Sequence, residues 1–334
     1  MTAIDVHAHF VPPAVLETLA GSGGRLGVRL VEKAAGARCC RFDDGLEVRP
    51  FLPGLLDLDA RLAEMDRQRV ERQILSVWTD IFGYGLDAAR CGEWHRILND
   101  TIAELCAARP ERFSWMASAP LVDAAAAARE LERCAGHGAA GVIVTANVHG
   151  RNLGEVSLDE FWSACETLDL PVFVHPSLPQ PLPRAEKFSL NQICAYTMDT
   201  TLAVGSMIMS GALDRFPRLR LLLSHGGGNL PYLIGRFDRM HEAADRGATG
   251  NRAMEPPSAY LRRFLYDSIL HSGEALGFLR DLVGAERILL GGDAPFPPGD
   301  PDPLGTLEKA GFDPDTIDLI AAANPRREYR LDRA

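Results

Sequence analysis

Eight short apolar runs, separated by stretches long enough to turn helices, constrain this chain more than any other feature. They are Ala3–Val6, Gln73–Val77, Phe113–Ala117, Gly141–Thr145, Val172–Val174, Leu219–Leu223, Phe264–Tyr266 and Ile288–Leu290. Strands buried on both faces read as continuous apolar runs, as Val172-Phe173-Val174 and Leu221-Leu222-Leu223 do. Parallel neighbours need long crossovers, which the intervening segments supply. The pattern predicts an α/β fold, a (β/α)8 TIM-like barrel. At 334 residues the chain exceeds a typical domain but fits one such barrel with insertions, so residues 1–334 are expected to form a single domain.

Helix signals fill the gaps. Leu58–Gln68 follows Asp57, Trp94–Ala108 precedes Pro110, Ala124–Cys134 follows Asp123, and Leu158–Leu168 precedes Pro171. Leu230–Ala244 and Glu274–Val283 complete the stronger cases. Asp123 and Ser157 are expected N-caps and Gly136 a helix stop. Two segments break the rhythm. Residues 10–53 are too long for a simple βα loop, and the glycines Gly21, Gly23, Gly24, Gly27 and Gly36 mark them as an insertion after the first strand, with a small hairpin, over the barrel mouth. The stretch from His175 to Asn191 carries Pro176, Pro179, Pro181 and Pro183 and reads as a rigid loop; long loops at that end of a barrel are commonly substrate-binding.

A net charge of −10 gives a nucleic-acid partner no electrostatic footprint. No apolar run approaches the roughly 20 residues of a membrane span, so no membrane partner is expected. Met1–His7 lacks the basic and apolar regions of a secretory signal, and the seven cysteines form no C-x-x-C pair; both features suit a reducing cytoplasm.

Chemistry gathers at the strand ends. In an extended segment residues i and i+2 point the same way, so His7 and His9 would aim at one point, a spacing that suits a divalent ion. A lone H-x-H is as readily two unrelated histidines in a loop. Here, however, His175, His225 and Asp293 end other apolar runs, and in a barrel all those ends converge on one mouth. His95, His137, His149 and His241 fall elsewhere and are expected to be solvated or capping. His271 follows the seventh run and either lines the pocket or is structural. His225-Gly226-Gly227-Gly228 looks like an oxyanion-hole motif, but the chain has no G-x-S-x-G elbow to serve it.

With these residues in view, the chain resembles the amidohydrolase superfamily, in the branch of 2-amino-3-carboxymuconate-6-semialdehyde decarboxylase and related aromatic-acid decarboxylases. The similarity is carried by Ile4-Asp5-Val6-His7-Ala8-His9-Phe10, Val174-His175-Pro176, Ser224-His225-Gly226-Gly227-Gly228 and Leu290-Gly291-Gly292-Asp293-Ala294-Pro295-Phe296-Pro297. The resemblance implies Zn2+, with Mn2+ as the alternative, held by His7, His9, His175, Asp293 and water. His225, with Asp293, is implied in the catalytic acid/base role. It further implies Arg49 as a grip on a substrate carboxylate and Arg236 as a second arginine contributed across a homodimer interface. The lack of a lysine or glutamate after Val144 disfavours a bridged dinuclear centre. The expected activity is non-oxidative decarboxylation of a small unsaturated or aromatic carboxylic acid. The same centre could instead hydrolyse a lactone, ester or amide, or hydrate a conjugated acid.

Overall fold

The computed structural model describes residues 3–177, 182–243 and 246–331. Eight parallel strands form one sheet: β1 (Ala3–His9), β2 (Val70–Ser76), β3 (Phe113–Ser118), β4 (Gly141–Thr145), β5 (Val172–His175), β6 (Leu221–Leu223), β7 (Leu265–Asp267) and β8 (Ile288–Leu289), neighbouring one another in chain order. Each lies within two or three residues of its expected position. The differences matter because β1, β5 and β7 run on to include His9, His175 and Asp267.

Backbone bonds bring the last strand back to the first. The Val6 N–H donates to the Leu290 carbonyl (2.9 Å), Asp293 N–H to His7 (2.6 Å) and His9 N–H to Ala294 (2.8 Å). The two closing segments are therefore those that carry the histidine pair and Asp293. Buried Asp5 reinforces the seam. Its Oδ1 accepts from the N–H groups of His7 and Gly292, both at 2.9 Å, and its Oδ2 accepts from the Gln73 amide at 2.9 Å. Arg61, also buried, donates to the carbonyls of His9 (2.8 Å), Gly54 (3.1 Å) and Ala294 (3.2 Å) across the same seam.

Helices Leu58–Arg67 and Ala124–Gly136 are capped by Asp57 and Asp123, each accepting a 2.9 Å bond from the third residue on. Other expectations need correction. Leu158, not Ser157, precedes the helix Asp159–Leu168; Gly136 does end its helix, as the last helical residue, with the left-handed turn two residues later at Gly138. The expected start at Trp94 is late, because Asp87 caps a longer helix, Ala88–Ala107. The helix beginning at Leu230 is described to Ala243, and the expected end at Ala244 lies outside the described residues.

Within 10–53 the hairpin is present as Val28–Glu32 paired with Arg38–Phe42. Its glycines misled, however, since Gly21, Gly23 and Gly24 belong to a helix, Pro13–Leu26. Gly23 is there for space: a Cβ would stand 2.3 Å from the Val28 carbonyl oxygen. Of the proline-rich stretch after β5, Pro179 and Pro181 lie outside the described residues. Beyond it runs an unexpected helix, Tyr196–Met209, buried on most sides and so lacking the amphipathic stripe that announces a helix. Among the described residues no helix is long and apolar enough to cross a membrane.

Candidate active site

The strand ends do converge. His7, His9, His175 and Asp293 are all buried, and each offers one ligand atom within 4.8 Å of the others. Second contacts fix the ring orientations. The His7 Nδ1 lies 2.7 Å from Asp267 Oδ2, that of His9 3.1 Å from Ser76 Oγ, and that of His175 2.7 Å from the Pro176 carbonyl. In neutral rings, as an ion would require, donation from Nδ1 to the Asp267 carboxylate and to the carbonyl leaves Nε2 of His7 and His175 with its lone pair turned inward.

A divalent ion fits these residues on two observations. The His175 Nε2 and Asp293 Oδ1 are buried with no hydrogen-bond partner, a costly state unless something else binds them. The Nε2 atoms of His7 and His9 face each other at 3.1 Å, with Asp293 Oδ1 3.2 and 3.4 Å away. Electrostatics agree. Burial disfavours a charged His7, but Asp293 and Asp267 outweigh it and hold its pKa up at about 10. Burial takes His9 down to about 4 and His175 well below its ordinary value. Burial would raise the Asp293 carboxyl, yet His7, His225 and His9 keep it well below the usual range. The cluster thus favours positive charge between His7 and Asp293. Three imidazole nitrogens and one carboxylate oxygen are a donor set for Zn2+ or Mn2+.

His225 sits beside this cluster in a turn with positive φ. Its N–H and that of Gly226 donate to the two oxygens of Asp267, both at 2.9 Å, so one carboxylate braces His7 and the His225 turn together. The His225 Nε2 is 3.5 Å from Asp293 Oδ2. Gly228 lets the turn pack closely: its φ is +63°, and a Cβ would meet the Thr197 carbonyl oxygen at 2.2 Å.

Above the cluster opens a cavity of about 370 Å³. Arg49 from the inserted segment lines it, packed among Trp78, Phe296 and Tyr196 at 5.4, 5.7 and 6.0 Å from the ring centroids. The Arg49 Nη2 donates to Asp80 Oδ2 (3.2 Å) and to Tyr196 Oη (3.1 Å). Gln192 and His271 also line the cavity, which decides between the two expectations for His271. Arg236 is not among the lining residues; it is exposed on the helix Leu230–Ala243. His95 is buried rather than solvated, bonded to Ser118 Oγ at 2.8 Å, and His241 is buried with its Nε2 3.2 Å from the Ala253 carbonyl. The Nδ1 of exposed His137 caps at the Arg133 carbonyl (2.7 Å), and His149 is exposed.

Sequence reasoning missed Asp267 and the walls Trp78, Asp80, Tyr196 and Phe296. Asp267 was within reach, because it ends an apolar run just as His175 does. The walls come from loops and a helix start whose direction no periodicity reveals.

A family model described as Amidohydrolase matches residues 4–331. The chain is 33% identical over 310 residues to 2-amino-3-carboxymuconate-6-semialdehyde decarboxylase of Dictyostelium discoideum, covering 91% of this chain and 85% of that one. Among solved structures it is similar to 5-carboxyvanillate decarboxylase from Sphingomonas paucimobilis (TM-score 0.82, 28% identity, 98% and 99% covered). It is also similar to a dihydroxybenzoic acid decarboxylase from Polaromonas sp. JS666, solved with manganese and the inhibitor 2-nitroresorcinol (TM-score 0.79, 25% identity, 100% and 98% covered).

Proposed function

Because the chain belongs to the amidohydrolase family, we propose that it is a metal-dependent, non-oxidative decarboxylase of a small aromatic or unsaturated carboxylic acid. The observation that carries this reading is the buried His7–His9–His175–Asp293 cluster at the base of an aromatic-walled cavity that also holds His225 and Arg49. His7, His9, His175 and Asp293 would hold the ion, Zn2+ by donor set, with Mn2+ the alternative that the Polaromonas structure supports. When bound, the ion supplies a Lewis acid that polarises a substrate oxygen.

The chain's own groups do the rest. Arg49 has Nε and Nη1 left for a carboxylate and orients it. Trp78 and Phe296 offer flat apolar faces to a ring and exclude water from it. His225 delivers a proton to the carbon that bears the carboxylate, its Nε2 lying 3.5 Å from Asp293 Oδ2. The C–C bond then breaks, CO2 leaves, and the proton His225 delivered stays on the ring carbon. Hydrolysis of an ester, lactone or amide by the same centre is the alternative, with no observation here that favours it.

The remaining expectations belong to the same proposal. The chain acts as one domain, with 10–53 an insertion at the mouth, supported by the presence of Arg49 in the cavity wall. It works as a cytoplasmic homodimer in which exposed Arg236 reaches the partner's cavity. The test is incubation of metal-loaded protein in D2O with a panel of hydroxybenzoates and carboxymuconates. Release of CO2 with solvent deuterium at the vacated carbon supports the reading. No CO2 from any member, or incorporation of ¹⁸O from labelled water into the products of a panel of esters and lactones, overturns it.

A further inference from the structure

The loop that carries Asp293 walls two cavities. From Gly292 to Asp300 it closes on itself: the Asp300 N–H donates to the Gly292 carbonyl (2.7 Å), the Phe296 N–H to that of Asp293 (3.0 Å) and the Gly299 N–H to that of Phe296 (2.9 Å). There is no slack at Gly299, where a Cβ would stand 2.6 Å from the Gly292 oxygen. One side of the loop borders the catalytic cavity through Asp293, Phe296 and Pro298. Against the other lies a second space of about 360 Å³, bounded by the loop and by the helix Leu58–Arg67 with its capping residue Gln68. Phe296 lines both.

The second cavity has one unanswered polar group. Gln68 is only 3% exposed, and its NH2 donates to Glu64 Oε1 (2.9 Å) and to the Pro301 carbonyl (3.2 Å), which fixes the orientation of the amide. Its Oε1 is left buried with no partner, a costly state until a donor meets it. The rest of the wall is mostly apolar, with Pro295, Phe296 and Pro297 consecutive along it, a surface suited to a flat ring.

Among the described residues, the charged members of this wall are Arg61, Glu64 and Asp300. Arg61 is committed to the carbonyls of His9, Gly54 and Ala294, and Glu64 pairs with Arg67. Asp300 Oδ1 accepts from the Asp302 N–H (2.9 Å). Neither the four clustered residues nor Arg236 lines this space, so neither a divalent ion nor the partner's Arg236 would touch a ligand held there. A carboxylate finds no free cation in it. A neutral hydroxyl finds an acceptor.

We propose that this second cavity binds a small neutral hydroxyarene, its O–H donated to Gln68 Oε1 and its ring set against Pro295, Phe296 and Pro297. Occupancy bears on the catalytic cavity through Phe296, because a tightly closed loop passes displacement of one face to the other. The site stands on its own walls and goes beyond the decarboxylase reading: Arg49 grips acids, while this space takes the uncharged arene.

The test uses the metal-loaded protein with two probes of one shape, 4-bromophenol and 4-bromobenzoate. Crystals soaked in the phenol should show an anomalous bromine peak in the second cavity, and crystals soaked in the benzoate should show none there. In solution, ¹⁹F NMR with 4-fluorophenol should give a dissociation constant of about 0.1–1 mM for this site. Gln68→Leu removes the acceptor and Ala60→Phe fills the space from an exposed helix position; each should weaken that binding by about tenfold or more. Saturating 4-bromophenol should shift the affinity for 4-fluorobenzoate by about fivefold in wild type. The shift should vanish in Ala60→Phe, whereas direct competition in the catalytic cavity would persist there. No bromine peak in the second cavity, an equal peak from the benzoate, binding at crystal concentration only, or unchanged phenol binding in Ala60→Phe overturns the proposal. If Gln68→Leu does not fold, Ala60→Phe decides. CO2 release has no part in these readouts, so this site and the decarboxylase reading stand or fall separately.

Discussion

The Nδ1 of His7 and the Oδ2 of Asp267, 260 residues apart in sequence, meet at 2.7 Å with both side chains fully buried. The same carboxylate accepts the N–H groups of His225 and Gly226. One side chain thereby sets both the His7 ring in the four-residue cluster and the turn that carries His225.

Replacing that carboxylate should loosen both. Asp267→Asn is expected to lower metal affinity by about 10–100-fold, measured by competition with a chromogenic chelator. Because the His225 turn also loses one of its two acceptor oxygens, kcat should fall even when the variant is saturated with metal. Wild-type affinity in the variant would show that Asp267 has no part in the site.

His225 lines the cavity and stands 3.5 Å from Asp293, but it is not one of the four clustered residues. His225→Gln should therefore keep a full complement of metal, by elemental analysis, while losing about 10²–10⁴-fold in decarboxylation rate. Loss of metal along with activity would assign the residue to the ligand set instead.

Arg61 lies in the seam between the first and last strands, donating to the carbonyls of His9, Gly54 and Ala294. Arg61→Leu removes several bonds to a charged group, each worth about 1.5–3 kcal/mol before the structure relaxes. A stability loss on the order of 2–4 kcal/mol is expected from denaturant unfolding. A change within about 0.5 kcal/mol would mean that the seam does not depend on it.

Asp199 gives a pH signature away from the ion site. Burial pushes its carboxyl from 3.8 up to about 7, against bonds from the Ser177 N–H and the Asn147 amide. The folded chain thus holds this proton more tightly than the unfolded one. Its contribution is full below about pH 4 and declines as pH rises through 7. Asp199→Asn should flatten that decline, so its melting temperature relative to wild type should climb between about pH 4 and 7. An offset independent of pH would contradict this.

Much of the barrel was legible because a strand covered on both faces must be apolar throughout, and Val172-Phe173-Val174 could be little else. The cluster was legible for the same reason: His175 is polar where its run ends, and barrel geometry sends all such ends to one place. The helix Pro13–Leu26 was hidden because its glycines answer a contact with Val28 that only the folded chain makes. The cavity walls were hidden because Trp78 and Asp80 leave the end of β2 on a turn, where side-chain direction follows tertiary packing and not a period of two or 3.6. Arg49 could be named from resemblance, but its pairing with Asp80 spans 31 residues and has no sequence signal.

The claim beneath all of this is that one divalent ion joins both ends of the chain. Anomalous diffraction from crystals of the active, metal-loaded protein tests it most directly. One peak per chain is expected, about 2.0–2.2 Å from nitrogens of His7, His9 and His175 and an oxygen of Asp293. A peak bound elsewhere, or a chelated protein that keeps its full activity with no peak at all, would contradict the account.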